Sequence, residues 1–222
     1  MMQAQDNPQR RRVTTLIGLI PFLVVTFLPL GNWGKALFAP WLGPLVSGEV
    51  IWWVLVLATF AYVLFVERRP LSSIGFRRPG WLDILLAVIV GVVMVVGVVF
   101  IFFTLFPMLH LKMNSGELNS IMNTPYWYRV LLVTRAAVAE ETLFRGYPLE
   151  RIGEWSGSRL LGGVITWAAF TYAHLGSWGA AQLIVAGFGG LLLTILFLWR
   201  RNLWANMLAH WIADGAGFLL PH

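Results

Sequence analysis

The sequence predicts an all-α membrane protein, a bundle of about seven or eight transmembrane helices, and three observations predict it. The 222 residues are 58% hydrophobic and only 12% charged, with a mean hydropathy of +0.73; soluble domains carry about a quarter charged residues. Apolar runs of about 20 residues, enough to cross a ~30 Å hydrocarbon core as helix, recur along nearly the whole chain. The runs are continuously apolar rather than alternating, which argues against a β-barrel. One integral membrane domain, residues 1–222, accounts for the length.

The expected spans are 13–30, 45–66, 82–106, 126–147, 160–175, 179–199 and 203–220, separated by turn-rich segments such as "RRNLW". The first follows a basic stretch, as in a signal peptide. It is of full spanning length and lacks a small-residue cleavage pattern, so it is read as a retained helix. An eighth segment within 107–125 is polar enough to be a loop or surface helix. With no cysteine, disulfides, thiolate nucleophiles and Cys-ligated zinc are excluded.

The net charge of +6 is a matter of topology. Alternating the loops across the membrane puts Arg10, Arg11, Arg12, Arg68, Arg69, Arg77, Arg78, Arg151, Arg159, Arg200 and Arg201 on one side. Lys35, Lys112 and Arg129 fall on the other. Such asymmetry places the arginine-rich side, and the N-terminus, in the cytoplasm. Nucleic-acid binding has no support, and the cell membrane of a prokaryote is the expected location.

Few ionisable residues then remain inside spans: Glu49, Arg135, Glu140, Glu141, Arg145, His174, His210 and Asp214. A charge at membrane depth costs at least ~2.5–3.5 kcal/mol on insertion scales, so each needs a partner or a function. Glu141 and Arg145 stand four apart with the acid first, the favourable order for an ion pair. Glu140 points roughly 100° away on an α-helix and is left without a local partner, as suits a general acid or base. Gly146 and Pro148 are expected to end this helix.

"FTYAH" places Phe170 and His174 on one helical face, and "HWIAD" does the same for His210 and Asp214. Asp214 is positioned to hold the His210 tautomer, and Asn206 is a further polar neighbour. Glu49 and Arg135 read as structural, Arg135 pairing with another helix. Gly187, Gly189 and Gly190 read as close helix contacts. There is no phosphate loop, dinucleotide fingerprint or H-E-x-x-H zinc helix.

"EETLFR" (Glu140, Glu141, Arg145), "FTYAH" (Phe170, His174) and "HWIAD" (His210, Asp214) together resemble the motifs of the type II CAAX prenyl endopeptidases, also called the CPBP or Abi intramembrane proteases. The resemblance covers roughly 126–220. It implies a helical bundle enclosing a polar cavity within the membrane. Glu140 and His174 would activate water there, and His210 with residue 214 would stabilise the oxyanion. Glu141, Arg145 and Phe170 would support the geometry.

Asp214 departs from the family's asparagine. An ionised aspartate cannot donate to an oxyanion, so it must be protonated or act through His210. No cofactor is expected; zinc held by Glu140, His174 and His210 is the lesser alternative. The expected substrate is a membrane-associated peptide or protein, lipidated or not.

A non-catalytic immunity or scaffold protein is the alternative in a different class. A proton-relaying transporter is a third, disfavoured by the absence of an inverted repeat. One spacing is unreconciled. At 1.5 Å per residue, Glu140 lies ~9 Å from the cytoplasmic end of its span and His174 ~22 Å from the same side, so the 148–160 connection is expected to be irregular or re-entrant.

Overall fold

In this computed structural model, residues 8–112 and 115–220 are described. The amino-terminal residues before Pro8 and the pair 113–114 of the polar 107–125 segment lie outside them. Among the described residues every regular element is helical, and the long apolar helices make the chain an integral membrane protein. Leu30–Val66, Trp81–Met108 and Gln182–Arg200 are each long and apolar enough to cross a bilayer by themselves.

The chain begins with α1 (Pro8–Gly18) and α2 (Ile20–Phe27), together the first span. In α3 (Leu30–Ala61), Gly43 leaves helical geometry at φ 75°, just ahead of Pro44. The helix doubles back there. A Cβ on Gly34 would lie 2.4 Å from the Ser47 carbonyl oxygen, so the 30–42 arm rests directly against the start of the second span. The sequence pattern placed that span correctly at 45–66, but the arm before it is helix rather than loop.

A 3₁₀ turn (Leu71–Ile74) with Ile74 buried leads to α4 (Trp81–Phe100), whose first turn is capped by Asp83, which accepts from the Gly80 amide at 2.8 Å. After α5 (Phe106–Met108), the polar segment supplies α6 (Ser115–Met122), a short helix of the kind its polarity predicts.

The largest departure from expectation follows. α7 (Tyr126–Arg135) runs into a π-helical segment (Ala136–Leu149) and then α8 (Glu150–Ser156), a single rod that does not stop at Gly146 or Pro148. The wider i→i+5 turn carries the proline, and Gly146 gives room where a Cβ would meet Leu203 at 2.8 Å. The rod ends at Gly157, whose φ of 73° suits glycine. Ser158 then caps α9 (Arg159–Ala173), accepting from the Leu161 amide.

The 148–160 connection is therefore helix and tight turn, neither irregular nor re-entrant. The depth conflict disappears for a different reason: Glu140 and His174 are equally far in sequence from Gly157, so two antiparallel rods carry them to similar depth. The short α10 (Leu175–Trp178) leads to α11 (Gln182–Arg200). Asn202, accepting from the Trp204 and Ala205 amides, caps α12 (Leu203–Phe218). The packing of α12 along α4 and against the π segment brings the three motif-bearing stretches together.

Candidate active site

Glu141 is the hub of the buried cluster. It and Arg145 have no exposed side-chain surface, and Arg145 Nη1 donates to Glu141 Oε1 at 2.9 Å. The predicted pair is present, and two unpredicted partners join it. His210 Nδ1–H donates to the same oxygen at 2.9 Å, and Asn206 Nδ2 donates to Oε2 at 3.0 Å. Arg145 also donates to the Gly190 carbonyl at 3.1 Å and lies 4.0 Å over the Phe170 ring. That approach needs the glycine, since a Cβ at 190 would meet Phe170 at 2.8 Å. A buried charge is tolerable only when paired and hydrogen-bonded; Glu141 meets this condition through Arg145 on its own helix and Asn206 and His210 on α12.

Glu140, its chain neighbour, lives differently. It lines a cavity of about 1290 Å³ whose wall also carries His174, His210 and Asp214, and from which Glu141 and Arg145 are absent. It is not without a local partner, as the sequence implied: Arg135 Nη1 donates to Glu140 Oε1 at 3.2 Å. The reason is the π-helical turn, which brings residues five apart onto one face. Arg135 is itself held by Glu49, Nε to Oε2 at 2.6 Å, and stacks 4.8 Å over Trp52. Tyr128 donates to the other Glu49 oxygen at 2.9 Å. Glu140 Oε2 has no hydrogen-bond partner among the described residues. Glu49 and Arg135, read from sequence as structural, thus form the support of Glu140. The only sequence signal for this was their presence in apolar segments.

His174 is fixed by its own helix. Its Nδ1–H donates to the Phe170 carbonyl at 2.8 Å, and its ring lies 4.5 Å from the Phe170 ring. This tautomer leaves Nε2 with a lone pair. His210 is gripped from both sides, Nδ1 by Glu141 and Nε2 by Asp214 Oδ2 at 3.4 Å. Asp214 does reach His210, as the i,i+4 spacing predicted.

Among the described residues no three His, Asp or Glu side chains are gathered closely enough to hold a metal ion. The donor set Glu140, His174 and His210 does not form a ligand cluster in this arrangement.

Carboxylates and histidines of this membrane bundle thus line one shared cavity. Residues 122–216 match the model of the family described as type II CAAX prenyl endopeptidase Rce1-like, a protease family. The matched stretch contains all three motifs. No curated protein and no solved structure matches the chain.

Proposed function

We propose that the protein is an intramembrane endopeptidase that hydrolyses a peptide bond of a membrane-associated protein or peptide, lipidated or not. One observation carries the reading. Two adjacent glutamates have opposite surroundings: Glu141 is sealed and saturated, while Glu140 faces the cavity with one oxygen held and one uncommitted.

In this reading Glu140 Oε2 takes a proton from water as its oxygen attacks the scissile carbonyl carbon. The His174 Nε2 lone pair accepts from the second water hydrogen and orients the nucleophile. The carbonyl oxygen becomes an oxyanion facing His210. With Nδ1–H committed to Glu141, a proton on Nε2 makes His210 an imidazolium matched by two carboxylates, Glu141 and Asp214. That single Nε2–H, which lies 3.4 Å from Asp214 Oδ2, is shared with the oxyanion when substrate is bound, and an oxyanion donor is worth about 10²–10³ in rate. Asp214 then serves as an acceptor that orients His210, a role asparagine's carbonyl oxygen would also fill. Glu140 returns its proton to the leaving nitrogen, the C–N bond breaks, and a carboxylic acid and an amine are formed; the acid then gives up water's second proton to the amine, leaving a carboxylate and an ammonium. No step is assigned to a metal.

We place the arginine-rich face and the N-terminus in the cytoplasm, in the cell membrane of a prokaryote, on the asymmetry of basic residues.

The test works without a designated substrate. Peptide termini are compared in membranes of cells expressing wild type or Glu140→Gln at equal levels. A terminus present only with wild type supports proteolysis and names the substrate. Identical termini would instead favour the non-catalytic scaffold.

A further inference from the structure

The two ends of the bundle are built differently. Every cavity-lining segment lies toward the end opposite the arginines: the 25–35 bend, the start of the second span, the second half of α4 with the 102–124 stretch after it, the first half of the 126–156 rod, the end of α9 with the residues just after it, the start of α11 and the second half of α12. None of 60–90, 145–168 or 194–209 contributes.

The arginine end is closed by its own side chains. The 67–80 loop tucks beneath the rod, with Ile74 buried and the Gly75 carbonyl accepting from the Leu203 amide at 2.8 Å. Arg151, almost wholly buried, binds Glu67 and the Ser73 hydroxyl, and Tyr147 donates to Glu67 at 2.8 Å. Glu150 is held by Arg201 at 2.7 Å and Arg159 at 3.2 Å, and Asp83 by Arg200 at 2.7 Å. Breaking a buried ion pair is strongly unfavourable, so among the described residues no route for a peptide opens to the cavity through this end. The other end offers exposed polar groups at the mouth, Lys35 and Ser120 among them.

We infer that the cavity is entered from the face opposite the arginine-rich one, so that the substrate is a membrane-tethered peptide presented on the non-cytoplasmic side, with its scissile bond in that half of the bilayer. The inference rests on the proteolytic reading for what the cavity does; the end of the bundle that opens rests on the cavity lining, and its side of the membrane on the asymmetry of basic residues.

The native chain has no cysteine, so single cysteines report access without background. Lys35→Cys at the mouth, Ala216→Cys on the cavity wall and Arg78→Cys on the arginine face are made in the full chain. Each is treated in intact cells, then after permeabilisation, with a membrane-impermeant maleimide. The expected result is labelling of Lys35→Cys and Ala216→Cys in intact cells and of Arg78→Cys only after permeabilisation. Labelling of Ala216→Cys only together with Arg78→Cys, or of Arg78→Cys in intact cells, overturns the inference. So does an Ala216→Cys that no aqueous side reaches. Labelling needs no activity: if Glu140→Gln leaves all termini unchanged, the proteolytic reading fails while the direction of entry is still measured.

Discussion

The arginine end and the cavity end both hold buried acids in the same apolar bundle, yet they satisfy them in opposite ways. At the arginine end each acid is consumed by partners: Glu67 by Arg151 and Tyr147, Glu150 by Arg201 and Arg159, Asp83 by Arg200 and Asn202. At the cavity end Glu141 is saturated too, but among the described residues Glu140 Oε2 and His174 Nε2 have no hydrogen-bond partner. Saturated charge stabilises and does no chemistry. An incompletely saturated polar group at membrane depth is costly, and its retention marks where reaction is expected.

The sharpest test of the contrast is Glu140→Gln. It preserves shape and a hydrogen-bonding oxygen but cannot accept the water proton, so proteolysis should fall by about 10²–10⁴-fold with unchanged thermal unfolding in detergent. A parallel loss of stability would mean that Glu140 belongs with the saturated group.

Arg145→Met should do the reverse. It leaves Glu141 without its ion-pair partner and is expected to cost about 3–5 kcal/mol of stability, as breaking a buried pair does. A lowered midpoint in thermal or denaturant unfolding reads this directly, with activity lost as a consequence.

Arg135 lies between the two kinds. Its removal frees the Glu140 carboxylate without touching the Glu141 hub. A hydrogen bond to a charged group is worth about 1.5–3 kcal/mol, so Arg135→Gln should reduce turnover about 10- to 100-fold. Arg135→Lys should restore part of the rate, and Glu49→Gln should give a smaller loss in the same direction. An equal loss with lysine and glutamine would show that the charge is irrelevant.

The smallest effect belongs to the Arg69–Glu154 pair, which is bidentate at 2.6 and 2.7 Å but about two-fifths exposed. Such pairs contribute about 0–1 kcal/mol. Burial works against ionisation of Glu154, but the Arg69 hydrogen bond and the nearby arginine charges hold its carboxyl below the usual range. A depressed folded value means stability that is present above the ordinary glutamate pKa and lost as pH falls through the folded value. The small difference in melting temperature between wild type and Glu154→Gln should therefore vanish under acid conditions.

The sequence by itself determined the helical membrane class, because apolar run length is a one-dimensional property set by bilayer thickness. It also determined the contacts confined to one turn: Glu141 with Arg145, His210 with Asp214, and the shared face of Phe170 and His174, all four residues apart. The three motifs were legible for the same reason.

Tertiary structure alone decided the rest. A 3.6-residue period cannot foresee that Pro148 is carried inside a π-helical turn, and that turn pairs Glu140 with Arg135 and lengthens the rod enough to bring Glu140 level with His174. Nor can it foresee that His210 and Asn206, far along the chain, complete Glu141, or that Glu49 anchors Arg135. Their partners are chosen by which helices pack side by side. Buried charge must be satisfied by whatever donor packing delivers, and the sequence states the demand without naming the supplier.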